Sequence, residues 1–351
     1  MNTIWLKKCH ELDLKAEFFS FIHILLKMNA DYISSLYNSR SQFARYVTIP
    51  VYFLSFMSEL LTITIFLSLK TFRQNSCAFY LLSMSSFNFI RLIISTTLVV
   101  ISMAFTINWT SLIVFYCQIR SLVALSCLIN AVTLLCLAVI DQYLATCARQ
   151  QWQQWSNIKV AHRLTILVSV IWFCHGILYV IYFRQLSPIN TAICISVDPV
   201  FLQYHIYGYF LTLTNLFPLV AVIFGLMAYR NTRTLTTRTN PLVRHELDKQ
   251  LTIMVLVEIC VYAFTQIPYS ITNGFLLLNT NRDPVFIAQW NLINAVTLTL
   301  NILTNGNSFF TYICVSKRFR RQAKYVLYDI HMIRWQQNRI HPDQTVMERE
   351  T

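Results

Sequence analysis

The strongest constraint on this chain is a series of seven apolar stretches, each long enough to cross a lipid bilayer as a helix. A membrane-spanning helix needs about 20 mostly apolar residues. Segments rich in Lys, Arg, Asn, Gln and Thr separate the stretches. The sequence therefore predicts an all-α membrane protein, a bundle of seven transmembrane helices. The approximate bounds of the spans are 47–69, 77–101, 113–140, 161–183, 204–229, 250–278 and 285–314.

The composition excludes several other classes of protein. Hydrophobic residues make up 56% of the 351 residues and charged residues only 12%, whereas a soluble domain carries about 25% charged residues. A soluble enzyme, a disordered chain and a disulfide-rich mini-protein are therefore excluded. The net charge of +13 lies mainly in loops between apolar stretches, so nucleic acid is not expected as a partner. The ten cysteines include no Cys-x-x-Cys pair, and neither a metal nor a cofactor is expected.

The Lys and Arg residues are divided unequally between the two faces that these spans define. Loops and tails carry eighteen on the side of the C-terminal tail and eight on the other side. Because cytoplasmic loops carry the excess of Lys and Arg, we predict a cytoplasmic C-terminus and an N-terminus outside. The predicted domains are an extracellular segment 1–46, a seven-helix domain 47–314, and a cytoplasmic amphipathic helix and tail 315–351. The extracellular segment is expected to be unstructured or interfacial, and the translation start stays open between Met1 and Met28.

Two features fall on the predicted outer side. Asn108 begins an Asn-Trp-Thr sequence, which is an acceptor for N-linked glycosylation. Cys117 and Cys194 lie on the same side, where disulfides persist. We expect a disulfide that ties the second outer loop to the third span, and the alternative is two free thiols.

Several residues occur in an order and at spacings typical of one receptor family. Cys117 is followed 24 residues later by the triplet Asp141-Gln142-Tyr143 at the inner end of the third span. Trp172 lies in the middle of the fourth span. The fifth span, the sixth span and the end of the seventh contain Pro218, Pro268 and Tyr312. Over roughly residues 45–335, the chain resembles the rhodopsin-like (class A) G-protein-coupled receptors.

The resemblance implies a function and a set of roles. It implies a multi-pass plasma-membrane receptor with an extracellular ligand, a heterotrimeric G protein as partner, and helix kinks at Pro218 and Pro268. The family's amine receptors carry an aspartate seven residues after the outer cysteine, where this chain has Ala124. A peptide or another non-monoamine ligand is therefore expected. The switch and coupling positions that the resemblance implies are Asp141, Gln142, Tyr143, Asp248 and Tyr312.

This chain departs from the family at several of its switch positions. The arginine of the Asp-Arg-Tyr triplet is Gln142, so the family's ion pair to the acid at Asp248 is replaced by a neutral contact at most. The departures put ordinary G-protein activation in doubt, and a divergent receptor is the interpretation. Other family positions are occupied by Glu59 for an asparagine, Asn88 for an aspartate, Gln266 for a tryptophan and Ser308-Phe309 for Asn-Pro.

Charged side chains within the spans need partners or water, because a charge at mid-bilayer costs about 2.5–3.5 kcal/mol. Glu59 and Arg91 lie about ten and 14 residues from the inner ends of their spans, an offset of about 6 Å. We predict an ion pair between them, with Asn88 beside it. The alternative is that each faces separate internal water.

Polar residues also mark candidate ligand contacts. Asparagines in the seventh span share one helix face; the lower pair, Asn301 and Asn305, is interpreted as structural. The upper pair, Asn291 and Asn294, either contacts a ligand in the pocket or only holds neighbouring helices together. Arg120 either reaches the interface or faces a ligand at the pocket rim. The ligand-pocket candidates are Arg120, Ala124, Gln266, Asn291 and Asn294.

After Tyr312, apolar residues recur at helical spacing beside a cluster of Lys and Arg. This pattern predicts a short amphipathic eighth helix that lies on membrane lipids. The alternative function is a seven-helix channel or odorant-receptor-like subunit, whose N-terminus would lie inside. No catalytic motif or repeated pair of interrupted helices occurs, so neither an enzyme nor a transporter is expected.

Overall fold

The computed structural model describes residues 29–68, 74–105, 114–147, 149–186, 193–196, 198–235, 242–278 and 283–329. Within them, seven helices are long and apolar enough to cross a membrane, which confirms the number of predicted spans. They are α1 Asn29–Ser68, α2 Ser76–Phe105, α3 Val114–Thr146, α4 Ile158–Tyr182, α5 Pro199–Thr232, α6 Leu242–Leu278 and α7 Pro284–Val315.

The helix α3 is the centre of the bundle. Its most apolar window is 72% buried, against 17% for α4, so α3 is surrounded by other helices and α4 lies at the periphery. The central helix packs against α2, α4, α5 and α6, and α7 packs between α1 and α6. Large apolar side chains of α4 point away from the bundle, as expected for a face that contacts lipid. They include Ile166, Leu167, Val170, Ile171 and Ile177.

The two ends of the bundle differ. One end, here called the hairpin end, carries two short antiparallel strands, β1 Phe183–Leu186 and β2 Ile193–Ser196. The sequence analysis did not predict these strands. The opposite end, here called the basic end, carries a short helix α8, Lys317–Lys324, in which five of eight residues are Lys or Arg.

A short helix, α8, follows the seventh span, and its position on membrane lipids stays a prediction. The Ser316 hydroxyl accepts a hydrogen bond from the Phe319 backbone N–H and caps the helix. The buried Phe319 ring lies 5.6 Å from the ring of Phe66 in α1 and 5.5 Å from that of Tyr312 in α7. These contacts fix the start of α8 against the bundle.

The first helix begins earlier than predicted. The helix α1 starts at Asn29, so an unstructured segment is the wrong prediction for residues 29–46. The extension is held by the last turn of α2, where the carbonyl oxygen of Ala104 accepts from Ser41 Oγ and from Arg45 Nε, both at 2.7 Å. Carbonyl groups at the end of a helix lack hydrogen-bond donors within that helix, and here α1 supplies the donors.

Three of the helices contain π-helical segments that the sequence analysis did not predict. They lie at Ala44–Thr48 in α1, at Leu92–Thr96 in α2 and at Tyr204–Leu213 in α5. The segment in α5 packs its rings against α4, where Tyr209 and Tyr179 lie 5.9 Å apart. π-Helical turns occur frequently at functional sites.

A glycine allows α1 and α7 to approach closely. A Cβ atom placed on Gly306 would lie 2.7 Å from the Cα of Ser55, which is nearer than two carbon atoms can pack. The approach lets Ser55 Oγ donate to the carbonyl oxygen of Ile302 at 2.9 Å, and Ser58 Oγ donate to that of Gly306 at 2.5 Å. The side chain missing at Gly306 thus permits hydrogen bonds between the two helices.

Candidate functional site

A cavity of about 100 Å³ lies inside the bundle, in the half nearer the hairpin end. Side chains from α2, α3, α5, α6 and α7 line it. Apolar residues such as Leu125, Leu128 and Phe210 form its walls. Its polar lining is Arg91, Ser95, Thr96, Tyr269 and Asn301. Apolar walls with a few polar groups are typical of small-molecule sites, but such sites usually measure about 300–1,000 Å³. This cavity therefore has room for a very small ligand or for one group of a larger ligand.

The π-helical turn of α2 shapes one side of this cavity. It begins directly after Arg91 and contributes Ser95 and Thr96 to the lining. The Thr96 hydroxyl donates to the carbonyl oxygen of Arg91 at 3.3 Å, and the Thr97 hydroxyl donates to that of Leu92 at 2.8 Å. These two carbonyl oxygens thus accept hydrogen bonds from side-chain hydroxyl groups. In a regular α-helix they would accept from backbone N–H groups four residues later.

Arg91 lies at the floor of the cavity and is only 9% exposed. Its Nη2 donates to Asn305 Oδ1 of α7 at 2.9 Å. Glu59 of α1 instead accepts from Asn88 Nδ2 at 3.2 Å. The predicted ion pair between Glu59 and Arg91 is therefore wrong among the described side chains, although Asn88 does contact Glu59. An amide on α7, at the same depth, is the partner of the guanidinium.

Hydrogen bonds between side chains join α6 to α7 at four levels and to Ser316, directly after α7, at a fifth. This series is here called the α6–α7 ladder. The rung at the cavity joins Asn301 Nδ2 to Gln266 Oε1 at 2.6 Å, and Gln266 Nε2 donates to Ser270 Oγ at 3.0 Å. The outer rungs are 22 residues apart on α6, or about 33 Å, roughly the thickness of the hydrocarbon core. From the hairpin end to the basic end, the rungs are Thr272 to Thr297, Gln266 to Asn301, Thr265 to Thr304, Glu258 to Ser308 and Gln250 to Ser316.

The basic end contains the predicted switch triplet. The Oε1 atom of Gln142 accepts from the Thr252 hydroxyl of α6 at 3.2 Å, both residues being buried. A neutral contact thus joins α3 to α6. Asp141 Oδ2 accepts from the Ser76 hydroxyl at 2.7 Å, which ties α3 to the start of α2. The side chain of Asp248 lies outside the described residues.

The two predicted switch tyrosines occupy different environments. Tyr143 is half-buried and its ring lies edge-on to that of Phe224 in α5 at 5.5 Å. Tyr312 is fully buried, and no described residue forms a hydrogen bond with its hydroxyl oxygen. The Tyr312 ring packs edge-on against Phe66 at 5.7 Å. In this arrangement Tyr312 holds α1, α7 and α8 together through ring contacts.

A wider cleft of about 620 Å³ lies near the basic end, between α3, α5 and the single helical turn Gln150–Gln153. Its lining is almost wholly apolar and aromatic, including Tyr143, Trp152, Trp155 and Phe224. Trp155 is 66% exposed. Tryptophans of this kind gather at the interfaces of a membrane, so the cleft lies where a lipid surface would meet the bundle.

The structure sorts the ligand-pocket candidates. Ala124 lines the cavity, and Gln266 contacts it through its bond to Asn301. Arg120, Asn291 and Asn294 are half-buried and do not belong to the described lining. Asn301 was interpreted as structural, but it both lines the cavity and forms a rung of the α6–α7 ladder.

Sequence reasoning missed Ser95, Thr96 and Tyr269 as lining residues. The run Ser95-Thr96-Thr97, which begins four residues after Arg91 inside an apolar span, was the available signal. Hydroxyl side chains at that place can satisfy the carbonyls of a distorted turn. Tyr269 follows Pro268, and no other feature of the sequence marked it as a lining residue.

The remaining predicted positions are partly described. Cys117 is fully buried and is not among the free thiols of the described residues. The backbone of Cys194 lies in β2 opposite Gln185, but its side chain lies outside the described residues, so their pairing stays a prediction. Asn108 also lies outside them. Pro218 and Pro268 lie inside α5 and α6, and the kinks at these positions stay predictions.

Comparison of the sequence with protein-family models finds no match, and comparison with curated proteins finds none either. The function is therefore argued from the geometry of the cavity, the ladder and the two ends.

Proposed function

We propose that the chain is a divergent class A-like receptor of the plasma membrane, with its N-terminus and hairpin end outside. In this proposal, an extracellular ligand, a peptide or another non-monoamine, places one of its groups in the cavity beside Arg91. The basic end faces the cytoplasm, as its excess of Lys and Arg favours, and acts on an intracellular transducer. A heterotrimeric G protein is the family's transducer.

The observation that carries the proposal is the continuity between the cavity and the basic end. Asn301 is both a lining residue and a rung of the α6–α7 ladder. The other rungs continue to Gln250 and Ser316 at the basic end. A ligand that displaces Asn301 would change the relative position of α6 and α7, and two packed helices with alternative registers can carry such a change. The chain thus has a cavity for a ligand and a series of contacts that leads from this cavity to the basic end.

The neutral contact between Gln142 and Thr252 supports a divergent form of activation. The family's ion pair at this place is charge-assisted, and such a bond is roughly twice as strong as a neutral one. The contact between α3 and α6 therefore holds the resting state less firmly. We expect a receptor with raised basal signalling.

The first test of the proposal is topology. The full chain is expressed with an N-terminal tag in intact cells, and its glycosidase shift is compared with that of Asn108→Gln. We expect the tag to be stained without permeabilisation and the glycan shift to vanish in the variant. A tag stained only after permeabilisation, with no glycan, would overturn the proposal in favour of an inverted seven-helix channel or odorant-receptor-like subunit. An ion-conduction assay would then follow.

The second test is basal signalling. Second-messenger levels are compared between cells with wild type and cells with Gln142→Arg at equal surface expression. The arginine restores a cation opposite α6, and we expect it to lower the basal level. Equal levels would contradict the looser resting contact.

A further inference from the structure

The cavity presents one charged side chain, Arg91, among its described lining residues. A guanidinium group offers five N–H donors. Nη2 donates to the neutral amide of Asn305, while the buried Nε has no hydrogen-bond partner among the described residues. Most of the hydrogen-bonding capacity of this cation is therefore unused by the described residues.

The buried acids of the bundle are engaged elsewhere. Glu59 accepts from Asn88, which precedes Arg91 by three residues and so lies toward the basic end. The other two buried acids in the described part of the chain, Glu258 and Asp141, accept from serine hydroxyls of α7 and α2. Among the described side chains, none of the three forms an ion pair with Arg91.

The cavity opens on the other side of Arg91. The further α2 residues of its lining, Ser95, Thr96 and Val99, follow Arg91 toward the hairpin end. The described lining contains no acidic side chain. Within the described lining, the positive charge of Arg91 therefore faces no carboxylate.

Other features of the cavity favour a small anion. Its volume of about 100 Å³ equals about three water molecules at their share of liquid volume. Ser95 and Tyr269 bring hydroxyl groups to the lining. Apolar walls lower the local dielectric and strengthen the attraction between a cation and an anion.

From these observations we infer that the cavity binds a carboxylate, either as a free small anion or as the end group of a larger ligand, with Arg91 as its counter-charge. A carboxylate presents two oxygens that match the planar fork of the guanidinium. The inference names the ligand class of the cavity, and it rests on the proposed function only for the role of that ligand in signalling.

The test is direct binding to the purified full chain in nanodiscs of zwitterionic lipid. Thermal unfolding is followed with increasing sodium acetate, at a sodium concentration and ionic strength held constant with a large sulfonate anion. Acetamide, which has nearly the same shape as acetate and no charge, is the matched control ligand. We expect acetate to raise Tm saturably, by about 2 to 5 °C, and acetamide to leave it unchanged.

Three variants locate the site. Arg91→Gln removes the charge, and Ala124→Leu fills the cavity while keeping Arg91; both are expected to lose the acetate shift. Arg230→Gln removes an exposed cation at the basic end and is expected to keep it. Because Ala124→Leu retains the buried charge network, it tests the site even where Arg91→Gln fails to fold.

Longer carboxylates separate the two sources of the anion. Binding that tightens from acetate to octanoate indicates the end group of a larger ligand, and binding that does not tighten indicates a free small anion. The inference is overturned where acetamide acts like acetate, where Ala124→Leu keeps the full shift, or where acetate has no effect on wild type. None of these readings depends on signalling, so they separate this inference from the proposed function.

Discussion

The guanidinium of Arg91 and the side-chain amide of Asn305 meet at 2.9 Å and join α2 to α7 in the middle of the bundle. The nearest buried carboxylate, that of Glu59, is bonded to Asn88 instead. Two neighbouring contacts, each between a charged group and an amide, thus take the place of one ion pair. This arrangement keeps Arg91 available to the cavity, because no carboxylate of a described residue is paired with it.

The first prediction concerns the partners of Arg91. In a double-mutant cycle measured by thermal unfolding, Arg91→Gln and Asn305→Ala should couple by about 0.5–3 kcal/mol. The cycle that combines Arg91→Gln with Glu59→Gln should give a smaller coupling energy, because those side chains share no hydrogen bond. A charge swap, Glu59→Arg with Arg91→Glu, should not restore the surface expression lost in either single variant. Full rescue by the swap would contradict the geometry.

The sequence predicted the spans well because they depend on one strong term, the cost of exposing polar groups to lipid. It also predicted that Glu59, Asn88 and Arg91 lie at neighbouring depths. It did not predict their partners. The depth of a residue along a helix follows from counting residues, but the direction in which each helix face is turned does not. Asn305 competes for Arg91 from a helix that is more than 200 positions away in the chain.

Local distortions of the helices could not be predicted from the sequence, for a different reason. The π-helical turn after Arg91 contains neither proline nor glycine, and its stability depends on hydroxyl contacts to its own carbonyls. The extension of α1 to Asn29 likewise depends on a tertiary contact, the pair of bonds to the Ala104 carbonyl. Hydropathy does not report such contacts, because the residues that make them are polar.

The second prediction concerns the close approach of α1 and α7. Gly306→Ala should destabilise the protein by about 1–3 kcal/mol, because its Cβ would lie 2.7 Å from the Cα of Ser55. Gly274→Ala is the matched control, since its Cβ would meet Ile206 at an ordinary 3.6 Å. Thermal unfolding of both variants in the same detergent checks the difference. Equal losses for the two variants would show that the contact with Ser55 adapts without strain.

The third prediction concerns the contact between α3 and α6 at the basic end. Thr252→Val keeps the shape of the side chain but removes the donor to Gln142. Loss of about 1 kcal/mol would shift the balance between closed and open arrangements about fivefold. Distances between spin labels at the exposed positions Arg149 and Lys249 should therefore broaden toward longer values.

The control for this experiment is Thr146→Val, whose hydroxyl bonds only to carbonyls of its own helix in the structure. Its distance distribution should match that of wild type. Equal broadening in both variants would mean that loss of any hydroxyl at this end loosens the bundle.

The fourth prediction concerns Cys117. Pairing with Cys194 would tie the β-hairpin to the start of α3, and removal of a native disulfide typically costs about 2–5 kcal/mol. Cys117→Ser and Cys194→Ser should each lower the surface level, and the double variant should be no worse than either single one. Cys174→Ser, which removes an exposed free thiol, is the control and should behave as wild type. Peptide mapping under non-reducing conditions should recover the two cysteines in one linked fragment, and separate alkylated peptides would refute the pairing.

The fifth prediction concerns the rung of the α6–α7 ladder that touches the cavity. Gln266 accepts from Asn301 at one end of its amide and donates to Ser270 at the other. Gln266→Leu keeps the approximate volume but leaves the buried Asn301 amide without its acceptor, which should cost about 1–3 kcal/mol in the free energy of unfolding. Gln289→Leu is the matched control, because Gln289 is exposed and its amide makes only a long contact to Tyr32 at 3.4 Å. If the ladder carries the signal, Gln266→Leu should also reduce the movement of α6 that acetate causes. This movement is measured by a fluorophore at the basic end of α6, and acetate should still raise Tm.

A variant that loses stability but keeps the full fluorescence response would show that this rung holds the helices together without transmitting the movement.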